Sequence, residues 1–244
     1  MNLIRVIALL LLCSPALAQR DIDFKPLEWP ASGSIVIPVA EGEALTGLAA
    51  ALDEHTGGAL TMAVAEAAFT GEEHQTLTLF GIKPYARIDL VGVGGEPVDR
   101  IGAEEFGGLA ASLNDGASGT GISILWSGIE RNDNATAARV AFGYRLGDYR
   151  FDRYQQERLE ADKRGSVIIY SDDADAGEQF DGDLVHLASA VYLARDLSSE
   201  PGNIIYPQSF VDRTREAFRG LKNVKIRVVD ETDMKRLGMG AHLG

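Results

Sequence analysis

Cysteine is almost absent from this sequence of 244 residues, which contains a single one, Cys13. Disulfides need pairs of cysteines and thiolate metal centres need several, so both are excluded. Hydrophobic residues make up 45% of the chain, which is enough to bury a core and excludes wholesale disorder. The fold must therefore be held together by its core, by a ligand or by assembly.

Basic residues are scarce relative to acidic ones. Lys and Arg number 23 against 36 Asp and Glu, which gives a net charge of −13 at pH 7. A surface of this sign repels the phosphate backbone of nucleic acids. We therefore expect no nucleic-acid partner, and solubility is a sufficient explanation of the charge.

Long apolar runs are also missing, and the strongest short one lies at the N-terminus. The run Val6 to Leu12 follows Arg5 and precedes the small-residue pattern Ala16-Leu17-Ala18. This order predicts a secretory signal peptide over residues 1–18, cleaved after Ala18. We expect an exported protein, periplasmic or secreted.

Two alternatives to a cleaved signal are weaker. An uncleaved membrane anchor needs roughly 20 apolar residues, and the run is far shorter. A lipoprotein signal places a small residue before its cysteine, whereas Leu12 precedes Cys13. We expect no membrane attachment after cleavage.

Short β-rich runs alternate with helical periodicity along the remaining chain, which is typical of an α/β fold. The predicted strands are Ile35 to Val39, Thr76 to Phe80, Ile88 to Val93, Ile122 to Trp126 and Val167 to Tyr170. The predicted helices cover 45–52, 101–113, 135–149 and 183–199, the last one capped by Asp181 or Asp183. The acidic, glycine-containing stretch 170–182 predicts a domain boundary before that last helix.

Recognisable catalytic motifs are missing. Gly-x-Ser-x-Gly is absent, and no serine has an identifiable base. The histidines are scattered, and none belongs to a metalloprotease pair one helical turn apart, so they form no recognisable metal site. They are His55, His74, His186 and His242.

Two glycine clusters follow or precede predicted strands. Gly92 to Gly95 lies where phosphate-binding loops occur, but its spacing is incomplete and no Lys-Ser/Thr pair follows. The cluster 115–121 also lacks the lysine. We favour turns at both places.

Several polar features admit a functional and a structural interpretation. Asn134 fits a glycosylation sequon, but we favour a cap for the following helix. The acidic pairs Glu72-Glu73 and Asp172-Asp173 could be general acid and base, but adjacent carboxylates usually solvate loops.

The segment ARDLSSEPGNIIYP, residues 194–207, resembles the entrance to the catalytic domain of the leucine aminopeptidase (cytosol aminopeptidase) family. The resemblance continues through a predicted helix from Pro207, an alternating strand at 224–229, a helix at 231–237 and the turn LGMGA at 237–241. Looser similarity extends upstream through most of the chain. The matching entrance residues are Arg195, Asp196, Glu200, Pro201, Asn203 and Pro207.

The resemblance implies a metallo-aminopeptidase in which two divalent ions, usually manganese or zinc, activate a water against peptide substrates. It also implies a homohexamer and a non-catalytic N-terminal domain that resembles macro domains in fold. The family's metal ligands and catalytic residues lie beyond the LGMGA turn, so none can be placed in this sequence. We therefore expect no catalytic, metal or cofactor-binding residue here, and an inactive N-terminal fragment.

Four segments follow from this resemblance. We predict a signal peptide at 1–18, a macro-domain-like α/β domain at 19–173, a linker and connector helix at 174–200, and a truncated start of the peptidase domain at 201–244. The entrance residues brace this junction: Glu200-Pro201 ends the connector helix, and Tyr206 replaces the usual Thr or Ser cap, which weakens the next helix start by about 1 kcal/mol.

One alternative function comes from the macro-like fold. A binding or interaction module without peptidase activity could hold an ADP-ribose-like ligand at Val91 to Gly95, through backbone donors at the strand end. Because such nucleotides are mainly intracellular, export counts against it.

Overall fold

The computed structural model describes residues 20–42, 44–95, 97–114, 121–154 and 165–243. The predicted signal peptide with Ala18, and residues 115–120 of the second glycine cluster, lie outside the described residues. The chain divides into two compact units, of which the first ends at Tyr192 and the second begins at Leu193. Every helix of the described residues is too short or too polar to cross a membrane.

The first unit is built on a sheet of six strands. They are β1 (Ile22–Pro26), β2 (Gly33–Ala40), β3 (Thr76–Phe80), β4 (Tyr85–Gly94), β5 (Ile122–Trp126) and β6 (Val167–Ser171). Their spatial order is β1-β6-β5-β2-β4-β3, and all neighbours are parallel except β3, which is antiparallel to β4. The carboxyl ends of five strands therefore meet at one edge, where open α/β sheets usually bind ligands.

Helices cover both faces of this sheet. They are α1 (Gly47–His55), α2 (Ala59–Glu66), α3 (Arg100–Leu113), α4 (Ala137–Gly147) and α5 (Ala176–Gln179), followed without a break by a π-helical turn (Phe180–Leu184) and α6 (Val185–Ser199). The α/β class predicted from the sequence is confirmed. The last helix begins at Ala176 after Asp175, so the predicted caps Asp181 and Asp183 were wrong and lie inside it.

The core consists of two layers, one on each face of the sheet. Ile35 and Ile37 of β2 pack with Leu52 of α1 and Leu60 of α2, whereas Val36 faces the layer of α3 and α4. Because both faces are covered, the strands are almost continuously apolar. For this reason, five of the six strands could be predicted from short β-branched runs in the sequence.

Helices α3 and α4 approach each other through glycines. A Cβ atom added at Gly107 would lie 2.0 Å from the carbonyl oxygen of Val140, and one at Gly143 would lie 1.8 Å from that of Glu104. Real Cβ atoms do not approach other atoms so closely. The absent side chains therefore let the two backbones touch, which packs α3 and α4 as one layer.

The second unit contains α7 (Pro207–Ala217), α8 (Glu231–Arg236) and a 3₁₀ turn (Gly240–His242), with the last residues of α6 at its start. Residues 224–229 form neither a helix nor a strand. The alternating pattern predicted one there, but a strand requires a neighbour, and the described residues provide none. The domain boundaries predicted at 173 and 200 stay predictions.

Candidate functional site

The glycine cluster Gly92 to Gly95 at the end of β4, for which a turn was favoured over a phosphate loop, folds back on its own chain. The Gly92 N–H donates to the Gln75 carbonyl at 2.7 Å, and the Gly94 N–H donates to the Gly71 carbonyl at 3.0 Å. A Cβ at Gly92 would lie 2.0 Å from the Glu72 carbonyl oxygen. Two of the backbone donors that an ADP-ribose-like ligand would need are therefore used, which favours the turn over the phosphate site.

The point where the chain connections diverge, between the carboxyl ends of β2 and β5, is closed. A Cβ at Gly47, which begins α1, would lie 1.7 Å from the carbonyl oxygen of Gly128, which follows β5. Open α/β sheets bind ligands in a crevice at this point. Here the two backbones touch, so no crevice separates them.

An ion cluster ties together the ends of β5 and β6. The Arg131 guanidinium donates to both carboxylate oxygens of Asp173, at 2.9 and 2.8 Å, and also contacts Asp172. Asp173 additionally accepts the Ala137 N–H at 2.6 Å. It therefore caps α4 from a distant strand, whereas the predicted cap Asn134 does not.

The electrostatics of Asp173 fit this structural role. Burial alone would raise its pKa, but the hydrogen bonds from Arg131 and Ala137 and the charge of Arg131 outweigh burial, so its pKa is lowered. A general acid at neutral pH needs the opposite shift. The pair Asp172-Asp173 thus supports the fold, with only Asp172 substantially exposed, at 55% of its side chain.

Asp89 is a described carboxylate whose pKa is raised. It is fully buried on β4, and burial raises its pKa against the opposing contributions of Thr78 and Arg87. Thr78 Oγ1 donates to it at 2.6 Å across the β3–β4 pair, and Arg87 lies 2.9 Å away. These contacts hold the edge of the sheet together rather than face a substrate.

A cavity of about 530 Å³ lies between α1, α2 and residues 68–70. Its principal carboxylate, Asp53, accepts the N–H groups of Leu60 and Thr61 at 2.8 and 3.0 Å, which caps the start of α2. Most of the remaining lining is aliphatic. Glu54 is the other carboxylate of the lining, and the lining contains no histidine, lysine or cysteine beside these two acids.

The entrance motif forms the turn from α6 to α7 within the second unit. Glu200 is buried, and its carboxylate accepts a hydrogen bond from Arg213 of α7 at 2.8 Å. The carbonyl of Pro201 accepts the N–H groups of Ile204 and Ile205, which closes the bend. Glu200 and Pro201 thus act where the sequence placed them, at the end of the connector helix.

The other entrance residues lie on both sides of this bend. Arg195 and Asp196 are half-buried near the end of α6, Asn203 is exposed in the turn, and Pro207 is the first residue of α7. Tyr206 precedes that helix, and its N–H donates to the Ser209 hydroxyl at 2.9 Å. Ser209 therefore supplies half of a capping box, which reduces the predicted weakness of this helix start.

Sequence reasoning missed one grouping of possible metal ligands. Glu73, His74 and Glu105 lie close together. Among the described residues, no other group of at least three histidine, cysteine, aspartate or glutamate side chains is close enough to share a metal ion. The adjacent ligand-type residues Glu72, Glu73 and His74 were a local indication of a metal site. Glu105, however, is 31 positions from His74, and no sequence spacing connects these two residues. Of the other histidines, His55 stacks on Trp29, with ring centroids 6.4 Å apart, while His186 and His242 are exposed.

Comparisons with known proteins agree with the resemblance seen in the sequence. Residues 36–158, about half of the chain, match the family model described as "Cytosol aminopeptidase family, N-terminal domain". The chain is 37% identical over 234 residues to a probable cytosol aminopeptidase of Caulobacter vibrioides. It is 36% identical over 208 residues to one of a Bradyrhizobium species.

The matched lengths are unequal. The alignments cover 91% and 81% of this chain but only 45% and 41% of those two relatives, so the chain spans less than half of their length. A solved structure of a tomato leucine aminopeptidase mutant superposes with a TM-score of 0.74 at 20% identity, covering 94% of this chain and 48% of that one. At this identity the similarity concerns the fold.

Proposed function

Because the chain belongs to the cytosol aminopeptidase family, we propose that it supplies the N-terminal, non-catalytic part of an aminopeptidase that removes N-terminal residues from peptides. The match of residues 36–158 to the family's N-terminal domain carries this proposal. The entrance turn supports it, because the buried Glu200 is bound by Arg213 at the place where the peptidase domain would begin.

The described residues do not fit the two-metal centre that the resemblance implies. The resemblance implies that several carboxylates and a lysine surround the two ions of such a centre. Among the described residues of the second unit, 193–243, no three metal-ligating side chains come together. We therefore propose that the metals, the peptide substrates and the hexamer belong to the whole enzyme.

The second unit also carries exposed apolar side chains. Phe210, Leu221, Val224, Ile226 and Leu237 are between 39% and 54% exposed. Apolar side chains grouped in one short segment usually mark a covered surface. We propose that the peptidase domain covers them in the whole enzyme and that proteases cut the 244-residue chain preferentially after Ser199; even cleavage throughout would contradict this.

We also propose that the protein is exported and cleaved after Ala18. Arg20, two residues beyond the predicted cleavage site, is 3% exposed and donates to the Tyr144 hydroxyl at 3.0 Å. The folded domain thus includes the chain almost up to that site, which supports the proposed boundary. Expression in a Gram-negative host should give a periplasmic product whose N-terminal peptide starts at Gln19; a cytoplasmic product that retains Met1 would refute it.

Activity assays test the proposed role. The purified 244-residue chain should not hydrolyse leucine p-nitroanilide above background with added Mn²⁺ or Zn²⁺. The purified Caulobacter relative serves as the positive control. Turnover that follows the chain through purification and stops on addition of a chelator would overturn the proposal.

A further inference from the structure

Three side chains that ligate metals converge on the surface of the first unit. The Nε2 atom of His74 lies 3.0 Å from Oε2 of Glu105, and the ligand atoms of these two residues and of Glu73 all lie within 4.8 Å of one another. His74 is 54% exposed and Glu105 is 42% exposed, so the group is accessible to an ion in solution.

The backbone fixes the first two members of this group. The His74 N–H donates to the Gly92 carbonyl at 3.2 Å, and the Gly92 N–H donates to the Gln75 carbonyl at 2.7 Å. The Gln75 side-chain oxygen also accepts the N–H of Gly71 at 3.0 Å. Residues 71–75 are therefore held against the end of β4 before any ligand arrives.

The third member comes from a rigid element. Glu105 lies on α3 next to Phe106, which is 1% exposed and anchors that turn in the core. A small pocket of about 10 Å³, lined by Glu73, His74, Glu105 and Phe106 among others, lies at the point of convergence. This is close to the smallest volume that holds one water-sized occupant.

The donor set is suited to a divalent transition-metal ion. One imidazole nitrogen and two carboxylate oxygens are ligands that zinc accepts at about 2.0 to 2.2 Å, and three protein ligands leave a position for water. The imidazole distinguishes this group from the acidic pairs that are common on protein surfaces. His74 and Glu105 already have the spacing of two ligands on one ion, and small torsions of the Glu73 side chain would bring in the third.

We propose that Glu73, His74 and Glu105 form a divalent transition-metal site in the non-catalytic domain, with Zn²⁺ as a suitable ion. The proposal does not depend on the function proposed above.

Calorimetric titration of the metal-free 244-residue chain with Zn²⁺ alone tests the site. We expect saturable binding of one ion and an increase in the unfolding temperature, because an ion that binds only the folded state stabilises it. His74→Ala and Glu105→Gln should each weaken binding at least tenfold. Both side chains are substantially exposed, so circular dichroism should show unchanged folds.

Two variants serve as matched controls. Glu72→Gln removes the exposed carboxylate next to Glu73, and His186→Ala removes an exposed histidine on α6; both should bind Zn²⁺ as the parent does. A parent chain without saturable heat, or a His74→Ala variant with unchanged affinity, would overturn the proposal and leave His74–Glu105 as an ion pair only.

Discussion

Two adjacent glycines of α3 should respond in opposite ways to the same substitution. A Cβ at Gly107 would lie 2.0 Å from the Val140 carbonyl oxygen and 2.7 Å from the Tyr144 nitrogen, both backbone atoms of α4. A Cβ at Gly108 would meet its nearest atom, the Gly143 carbonyl oxygen, at 3.7 Å, which is an ordinary contact. The two sites thus differ in packing but share one helix.

The magnitudes follow from this difference. In Gly107→Ala no side-chain rotamer can relieve the contact, so α3 and α4 must separate, at a cost of about 2–3 kcal/mol that overpacking of a core typically reaches. In Gly108→Ala the higher helix propensity of alanine should stabilise the fold by about 0.5–1 kcal/mol. For a protein of this size the two variants should differ in unfolding temperature by roughly 5–16 °C.

Thermal unfolding followed by far-ultraviolet circular dichroism measures the difference. Gly143→Ala, whose Cβ would lie 1.8 Å from the Glu104 carbonyl oxygen, should repeat the loss from the opposite helix. The double variant Gly107→Ala/Gly143→Ala should lose less stability than the two single variants added together, because either substitution alone already separates the helices. Unfolding temperatures of Gly107→Ala and Gly108→Ala within about 2 °C of each other would refute the reasoning.

Further predictions concern the charged contacts and the alternative ligand. Asp173→Asn should destabilise the chain by about 2 kcal/mol, because it leaves the part-buried Arg131 with only the exposed Asp172 as a charged partner. Asp172→Asn should cost under about 0.5 kcal/mol, and equal losses in urea titrations would contradict this. Folding lowers the pKa of Asp173. Its contribution to the free energy of unfolding should therefore be complete above the ordinary aspartate pKa of about 4 and be lost as the pH falls below that value. If the parent chain were still more stable than Asp173→Asn by the same amount at about pH 2, this mechanism would be excluded. Glu200→Gln should speed proteolytic cleavage between α6 and α7 by loosening the contact with Arg213, and an unchanged cleavage rate would argue against that brace. Calorimetric titration with ADP-ribose should show no heat of binding, because the Gly92 and Gly94 N–H groups at the end of β4 already donate to backbone carbonyls.

The α/β class and most elements could be predicted because the sheet is covered on both faces and its strands are therefore short apolar runs. Strand β1, with the sequence IDFKP, was missed because it is an edge strand that mixes charges and a proline with its apolar residues. Helix α2 was missed because a glycine pair precedes it and its alanine-rich sequence has a weak apolar stripe. At residues 224–229 a strand was predicted that the structure does not contain. The alternation of apolar and polar residues suits a strand, but a strand also needs a neighbouring strand to pair with.

Contacts over long sequence distances could not be predicted. Asp173 caps α4 from 36 positions away, and only the parallel order of β5 and β6 brings them together. The same holds for Glu105 and His74, which meet because α3 packs beside the end of β4. The end of α6 before Glu200-Pro201 could be predicted because it depends on consecutive residues and local geometry.

The pairing of β1 with β6 has a consequence for the time course of folding. The register joins Ile22 to Val167 and Pro26 to Ser171, so the first strand to leave the ribosome has its partner only after almost 150 further residues have been made. Such distant pairings fold slowly, because a long loop must close before any contact forms. Strand β2 pairs with β4 at Gly33 and Tyr85, a much shorter separation, so we expect the centre of the sheet to form before its β1 edge is completed.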